Sequence, residues 1–151
     1  MAVTVSKQIE ILASPAKVRS IFLEFQEYKQ WQQGWAIDLP TTAANGAELK
    51  AGDRLKVSMN GMNFPTTVIE NSPDVFGWKG SLGPLFSGQH YFQFNPSQQN
   101  PGGTTFVQKE DFGGILTTML SPFVHYFKLQ DRPNVGWETF NADLKRQAEK
   151  K

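Results

Sequence analysis

Two side chains suited to proton transfer are predicted to lie side by side in a sheet. His90 is one of only two histidines in the 151 residues, and it lies in the strand-like stretch GQHYFQFNP. Side chains alternate between the two faces of a strand, so His90 shares its face with Phe92 and Phe94. In the next strand-like stretch, TTFVQKEDF, Glu110 shares its face with two phenylalanines. Because aromatic faces are expected to be buried, the pattern brings an imidazole and a carboxyl group into an apolar interior.

The predicted His90–Glu110 pair has two interpretations. Polar groups that meet only hydrocarbon lose hydration free energy, so the two are expected to contact each other, water or a ligand. One interpretation is an acid–base pair, in which Glu110 fixes the tautomer of His90 and the ring moves a proton next to a carbonyl group. The other is a structural hydrogen bond between two inward polar groups.

Other kinds of catalytic or metal site lack the residues they need. The chain has no cysteine, which excludes a disulfide framework, a thiolate zinc site and a catalytic thiol. His90 and His125 are far apart and have neither helical nor His-x-His spacing, so no metal site is predicted. Gly-x-Ser-x-Gly, GxGxxG and Walker patterns do not occur. Neither a metal ion nor a cofactor is therefore expected.

The composition is that of a ring-rich globular chain. Twelve Phe and 4 Trp are many for this length, so large rings are expected to line part of the interior. Fifteen basic and 14 acidic residues leave a net charge of +1, with no basic run except KRQAEKK, so nucleic-acid binding is not expected. The N-terminus lacks a signal-peptide pattern, and no window approaches the roughly 20 apolar residues that cross a bilayer. A cytoplasmic protein without membrane insertion is expected by default.

The N-terminal third is predicted to contain one strand, two short helices and then a second strand, AIDLPTT, that leads into a Gly/Asn loop. VTVSKQIEIL alternates apolar and polar residues, which is typical of a half-buried strand. ASPAKVRSIFLEF then has helical periodicity, with Ser14 as a good N-cap and Pro15 at the first helical position. EYKQWQQGW is expected to continue as helix to near Gly34. That spacing would place three rings on one helical face: Tyr28, Trp31 and Trp35.

The rest of the chain is predicted to be an antiparallel meander followed by a long helix. Between residues 53 and 112, five strand-like stretches are separated by turn sequences such as NG, SPD and PSQQNPGG. GGILTTMLSPFVHYFKLQDRP is expected to be partly helical, with breaks at Pro122 and Pro133. A final helix is predicted from about Asn134, giving an α+β order. Its apolar stripe consists of Trp137, Phe140, Leu144 and Ala148.

The order of these elements resembles the START-like, birch-pollen-allergen-like (SRPBCC) superfamily, in its polyketide cyclase/dehydrase and lipid transport branch. The matching stretches are ASPAKVRSIFLEFQEYKQW, FGWKGSLGPLFSGQHYFQFNP, GGTTFVQKEDFGGIL and VGWETFNADLKRQAEK, which together cover nearly the whole chain. The resemblance implies a single domain over residues 1–151 with the helix-grip fold. This fold is a seven-stranded curved antiparallel sheet wrapped around a long C-terminal helix, with two short helices after strand 1 and a hydrophobic cavity inside.

The resemblance is compatible with three kinds of function, since a fold does not fix one activity. The first is binding of a small or medium hydrophobic ligand, such as a lipid, polyketide or aromatic metabolite, in the cavity. The alternative is a cofactor-independent polyketide cyclase or dehydratase with His90 and Glu110 as catalytic residues. The superfamily's G-x-H-x-F strand motif occurs in members of unrelated function, which favours a structural role for the pair. The third is a protein-binding module.

The predicted ligand contacts come from the inward faces of the strands and from two helices. Trp31 is interpreted either as part of a lid over the cavity or as packing of a short helix on the sheet. The full predicted set is Trp31, Trp78, His90, Phe92, Phe94, Phe106, Gln108, Glu110, Phe112 and Phe140.

Overall fold

The alternating stretches of the sequence form one seven-stranded antiparallel sheet that curves around the C-terminal helix. The computed structural model describes residues 3–82, 86–114 and 131–150. The strand order is β1-β7-β6-β5-β4-β3-β2, and the C-terminal helix packs mainly against β1 and α1. This is the predicted α+β helix-grip architecture. The elements are β1 (Val3–Ile11), α1 (Pro15–Leu23), a 3-10 turn (Phe25–Glu27), α2 (Tyr28–Trp31), β2 (Trp35–Asp38), a second 3-10 turn (Gly46–Glu48), β3 (Arg54–Met59), β4 (Met62–Asn71), β5 (Val75–Leu82), β6 (Phe86–Pro96), β7 (Thr104–Gly113) and α3 (Asp131–Ala148).

Helix α1 begins as predicted, whereas α2 ends earlier than predicted. Ser14 is the N-cap of α1, and its hydroxyl accepts a hydrogen bond from the backbone N–H of Lys17. Helix α2 ends at Trp31 because Gln32 is extended, and its side chain makes two hydrogen bonds, of 2.5 and 2.8 Å, with the backbone of Trp35. These bonds turn the chain into β2. The expectation that Trp35 shares a helical face with the two preceding rings is therefore wrong.

The hairpin between β3 and β4 is formed by the predicted Asn60–Gly61 turn. Both residues have positive φ angles, 53° and 86°, as a two-residue hairpin turn of this kind requires. The side chain of Asn60 also packs against two glycines. A Cβ at Gly34 would lie 2.7 Å from Asn60 Oδ1, and a Cβ at Gly136 would overlap Asn60 Nδ2. The hairpin tip is thus wedged between the start of β2 and helix α3.

Helix α3 starts three residues before the predicted position. It begins at Asp131 and includes Pro133 in its first turn, where a backbone N–H has no helical partner in any case. The residues between β7 and α3, including His125 and the stretch predicted to be partly helical, lie largely outside the described residues. The predicted apolar stripe of α3 is confirmed, since its members are at most 2% exposed: Trp137, Phe140, Leu144 and Ala148.

An aromatic cluster fills the end of the interior next to α1. Phe22 of α1 is fully buried at its centre. Within the described ranges, its ring centroid lies 4.5 to 6.4 Å from seven other rings. Such close aromatic packing contributes stability through burial and edge-to-face contacts. The seven neighbours are Phe25, Tyr28, Phe76, Phe92, Phe94, Phe106 and Phe140.

No described helix combines the length and hydropathy needed to cross a bilayer.

Candidate functional site

The strand register places His90 and Glu110 directly opposite each other on the concave face. His90 of β6 pairs with Glu110 of β7 on one side and with Trp78 of β5 on the other. The imidazole is buried, with 1% of the residue exposed, whereas 19% of the Glu110 side chain is exposed. His90 Nδ1 and Glu110 Oε2 are 3.6 Å apart. The two side chains therefore meet inside the sheet, as the alternation of the sequence indicates.

A chain of buried hydrogen bonds connects His90 to helix α3. His90 Nε2 lies 2.9 Å from Gln108 Oε1, and Gln108 Nε2 donates to Asn141 Oδ1 at 2.7 Å. All three residues are at most 3% exposed. Because the oxygen of Gln108 can only accept, His90 Nε2 carries the hydrogen. The Nδ1 lone pair of His90 is consequently directed towards Glu110.

Aromatic rings surround the imidazole and keep it uncharged. Phe92 stacks on it at 4.2 Å with an interplanar angle of 16°, and Trp137 of α3 lies at 4.7 Å. The rings of Trp78 and Trp35 approach edge-on at 5.6 and 6.2 Å. Burial lowers the pKa of His90 to about 3, although its hydrogen bond with Gln108 acts in the opposite direction. His90 is therefore a neutral hydrogen-bonding group at neutral pH.

Glu110 is the member of the pair that titrates near neutral pH. Burial raises its pKa to about 7, and the nearby charge of Asp111 adds to that effect. The 3.6 Å separation from His90 exceeds hydrogen-bond length, and a neutral imidazole offers no counter-charge, so the contact is not an ion pair at neutral pH. A carboxyl group in this state can both give and accept a proton.

The remaining predicted ligand contacts divide between this site and the aromatic cluster. Trp78 and Gln108 lie beside His90. Phe112 lies two residues after Glu110 on β7, where it pairs with Gly88. Trp31 is 9% exposed and packs on Tyr28 of the same helix and on Phe140 of α3, so its role as lid or as sheet packing stays a prediction. Ligand contact stays a prediction for every member of the set. Those within the Phe22 cluster are Phe92, Phe94, Phe106 and Phe140.

Asn141 was not predicted as a site residue, although the sequence pattern contained a signal. Asn141 lies four residues after Trp137 and next to Phe140, which places a polar side chain on the apolar stripe of α3. A buried amide at such a position needs a partner. Its partner Gln108 is 33 residues earlier in the chain, so the pairing itself could not be read from the helix alone.

A strip without side chains lies beside the His90–Glu110 row and was also missed. Gly80 of β5 pairs with Gly88 of β6, one alternation beyond Trp78 and His90 on the same face. A Cβ at Gly88 would lie 2.5 Å from Glu110 Oε1, so the carboxyl group extends over this glycine. The sequence signal was the parity of the two glycines, each two residues from a predicted inward side chain.

Two pockets formed by described residues lie on the surface. One, of about 390 Å³, lies on the outer side of β2, β3 and β4 around Ala36, Lys56 and Pro65. The other, of about 130 Å³, lies beside α1 around Arg19. Neither contains a predicted site residue. Within residues 3–82, 86–114 and 131–150, no three His, Asp or Glu side chains come together as a metal-binding group.

The fold agrees with a match of the sequence to a known family. Residues 2–130 match the family described as "Polyketide cyclase / dehydrase and lipid transport". The chain belongs to this family. The resemblance seen in the sequence is thereby confirmed. No curated protein sequence matches the chain significantly.

Solved structures of similar shape confirm the fold of this family member. A hypothetical protein of Helicobacter pylori matches with a TM-score of 0.69 at 15% identity, covering 97% of this chain and 88% of that one. Norcoclaurine synthase from Thalictrum flavum has a TM-score of 0.66 at 8% identity, with coverages of 100% and 88%. A START superfamily protein from Mycobacterium smegmatis has a TM-score of 0.55 at 18% identity, with coverages of 92% and 98%. Identities this low carry information about the fold alone.

The state of His90 can be checked by nitrogen NMR. In a His125→Gln variant, which leaves His90 as the single histidine, we expect a neutral ring with its hydrogen on Nε2 from about pH 8 to about pH 5. Burial and the acceptor Gln108 are the physical reasons. A Gln108→Met variant, which removes the acceptor, should lose the tautomer preference. Titration of the ring near its ordinary pKa of 6.5 would contradict this description.

The raised pKa of Glu110 predicts a pH-dependent difference in stability between the wild type and Glu110→Gln. The folded state binds the Glu110 proton more tightly than the unfolded chain, whose pKa is near 4.5. The stabilisation is complete below pH 4.5 and is lost as the pH rises through 7. From about pH 5 to about pH 8, the wild type should lose about 2 kcal/mol relative to Glu110→Gln. Urea unfolding at both pH values measures this difference.

His90 also makes the free energy of unfolding depend on pH, but with the opposite sign. This effect is the same in the wild type and in Glu110→Gln. Its folded pKa lies below the ordinary value of 6.5, so the stability it contributes is lost as the pH falls from 6.5 towards 3. Comparing the two proteins at each pH removes this shared term. Parallel curves for the wild type and the variant would show that Glu110 has an ordinary pKa.

Proposed function

We propose that the chain binds one small or medium hydrophobic molecule, such as a lipid, polyketide or aromatic metabolite, between the concave face of the sheet and α3. The observation that carries the proposal is the polar Trp78–His90–Glu110 row next to the side-chain-free Gly80–Gly88 strip. A mainly apolar site with a few oriented polar groups is typical of small-molecule binding. Membership of a lipid transport and polyketide cyclase family supports the same class of ligand.

The distribution of packing determines where the ligand would lie. The end of the interior next to α1 is occupied by the Phe22 cluster, whose rings are already in mutual contact. The opposite end has two glycines on its inner face, with Phe64, Trp78 and Phe112 as neighbouring rings. A ligand over this strip would gain apolar contact without displacing the cluster. Glu110 would be its polar anchor.

Binding of the neutral fluorescent probe N-phenyl-1-naphthylamine tests this proposal. We expect one probe per chain and an increase in fluorescence. Gly80→Val should weaken binding at least about ten-fold, because it places a branched side chain on the strip while its Cβ meets only ordinary contacts of 3.6 Å or more. Isothermal titration calorimetry would give the stoichiometry. Copurified ligand should also appear in native mass spectra.

Matched controls separate internal from surface binding. Gly113→Val, on the neighbouring strand β7, places its Cβ 3.6 Å from Ser87 Oγ on the outer face, and it should leave the affinity unchanged. Replacing the exposed Leu12 or Met62 by serine should likewise have no effect, since these are the large apolar side chains that bind dyes nonspecifically. Equal affinity in the wild type and Gly80→Val would contradict the proposed location.

A second candidate function is cofactor-independent cyclisation or dehydration, favoured by the pKa of Glu110 near 7. Ionised Glu110 would take a proton from the carbon next to a substrate carbonyl group, and the acid so formed would return a proton. His90 Nδ1 carries no hydrogen, so His90 would orient the acid form of Glu110, by accepting its O–H once the 3.6 Å separation closes. This assigns proton transfer to Glu110 and a positioning role to His90.

Hydrogen–deuterium exchange of 2-tetralone tests the second function. The protein in D2O should accelerate loss of the α-proton signals above the buffer rate, and Glu110→Gln should reduce that acceleration at least about ten-fold. Proton NMR measures both rates. Binding of 2-tetralone without accelerated exchange would remove the catalytic assignment and leave ligand binding intact.

A further inference from the structure

We propose that the free edge of strand β1 is an interaction surface on which a second copy of this chain adds its own β1 as an antiparallel strand. The two copies meet about a two-fold axis that passes through Ser6, and their seven-stranded sheets become continuous. The surface lies on the side of β1 that faces away from β7, and it uses no residue of the proposed ligand site. The inference is therefore independent of the proposed function.

The two edges of the sheet are protected to different degrees. Strand β2 forms one edge with only four residues, and the side-chain amide of Gln32 occupies the backbone N–H and C=O of Trp35 there. Strand β1 forms the other edge with nine residues, no proline and no shift in its pairing with β7. Natural sheets usually shorten, bulge or cover their edges, because unpaired backbone groups bind further strands. The long β1 edge is thus the place where another strand can pair.

Contacts with α3 show which backbone groups of the β1 segment face away from β7. Lys145 Nζ donates to the C=O of Glu10 at 3.0 Å, and the N–H of Leu12 donates to Glu149 Oε2 at 2.8 Å. In an antiparallel strand the N–H and C=O of one residue point to the same side, and the side alternates from residue to residue. The even-numbered residues therefore direct these groups outward, and α3 covers the edge from Glu10 onward.

Three residues before Glu10 leave their outward backbone groups open. Among residues 3–82, 86–114 and 131–150, nothing bonds to the outward N–H and C=O of Thr4, Ser6 or Gln8. Their side chains are uncharged and exposed on the convex face of the sheet. The side chain of Thr4 bonds to Asp111 of β7 at 2.7 Å, which holds it back from the edge. On the convex face, these three side chains therefore place no charge in the path of an incoming strand.

The open stretch is complementary to itself. Antiparallel pairing centred on Ser6 sets Ser6 opposite the partner's Ser6 and Thr4 opposite the partner's Gln8. Each of the three resulting pairs exchanges two backbone hydrogen bonds, so every open N–H and C=O on both copies finds a partner. Pairing centred on Gln8 would instead bring in Glu10, whose C=O already accepts from Lys145. This match favours a second copy over an arbitrary extended segment.

The charges on the concave side of the edge also fit a two-fold pairing. Lys7 is the only charged residue between Val3 and Ile9, and its Nζ lies 3.0 Å from Glu138 Oε1 of α3. An unpaired inward lysine protects an edge by repulsion, but this one has a counter-charge. In the pairing centred on Ser6, the two Lys7 residues are diagonal neighbours, roughly 7 to 8 Å apart. The Glu138 side chain is 61% exposed and can approach the partner's Lys7, so two lysines and two glutamates form a group without net charge.

Sedimentation velocity on the full chain tests the surface. We expect a weak dimer with a dissociation constant on the order of 100 μM, since one added strand pair is a small interface. Ser6→Lys should raise that constant at least about ten-fold, because it sets two like charges directly opposite each other. Ala36→Lys is the matched control, since it adds the same exposed charge on the opposite edge strand β2, and it should leave the dimer unchanged. Urea unfolding checks that both variants remain folded.

Single cysteines test the position of the two-fold axis, since the chain has none of its own. The paired Ser6 Cα atoms would be roughly 5.5 Å apart, within reach of a disulfide, so Ser6→Cys should form a covalent dimer under mild oxidation. Gln8→Cys alone should not, because its two copies lie four residues apart along the strands, roughly 14 Å. A mixture of Thr4→Cys and Gln8→Cys should form the mixed dimer. Electrophoresis without reductant and mass spectrometry measure these products.

The outcomes separate self-pairing from other arrangements. A wild type that remains monomeric up to about 1 mM would overturn the inference and leave the β1 edge to an extended segment of a different protein. A dimer weakened by Ala36→Lys rather than by Ser6→Lys would assign the interface to β2. Cross-linking of Gln8→Cys as fast as that of Ser6→Cys would contradict the register. None of these results bears on ligand binding between the sheet and α3.

Discussion

The buried hydrogen bond between Gln108 and Asn141 is the interaction on which the arrangement of the concave face depends. It is a buried polar link between strand β7 and α3, and it fixes the side-chain amide of Gln108 so that its oxygen faces His90. The hydrogen on His90 Nε2 and the lone pair on Nδ1 follow from it. His90, Gln108 and Asn141 are almost completely buried, so loss of one side chain leaves its partner without a hydrogen bond. Such a loss destabilises the packing of α3 on the sheet as well as the arrangement of the site.

The interior has two ends with different physical character. Around Phe22 the rings touch one another, and a closely packed cluster of this kind leaves little space for another molecule. At the other end, Gly80 and Gly88 have no side chains of their own, the Glu110 carboxyl group extends over Gly88, and Thr66 Oγ1 is buried without a partner among the described residues. The first end is packed with rings, and the second contains the titrating carboxyl group. His90 lies at the boundary, stacked on Phe92 of the packed end and beside Glu110 of the open one.

The sequence predicted the faces of the strands well, because a period of two and the demand to bury phenyl rings leave little choice. His90, Phe92 and Phe94 are inward as their parity required. Features that depend on side chains from distant parts of the chain were not predictable. Helix α2 ends because Gln32 bonds to the backbone of Trp35, and the amide of Asn141 meets a strand residue far away.

The glycines show a second limit of prediction from sequence. In the sequence, Gly80 and Gly88 resemble turn residues or weak points of strands. They become one feature only when the pairing of β5 and β6 sets them side by side. The protonation states also depended on three-dimensional burial. The sequence suggested a His90–Glu110 pair in which the imidazole moves the proton, whereas the ring-lined surroundings of His90 leave the titrating role to Glu110.

The packing of the Asn60 side chain between two glycines limits how α3 can move relative to the sheet. Its amide fits between Gly34 and Gly136, and at both contacts a single added carbon atom would collide with it. The side chain of Asn60 therefore holds three segments in close contact: the β3–β4 hairpin, the start of β2 and the beginning of α3. A displacement of the helix at this point must move the hairpin as well. Widening the groove between sheet and helix thus requires these three segments to move together. This close contact is possible because Gly34 and Gly136 have no Cβ atom.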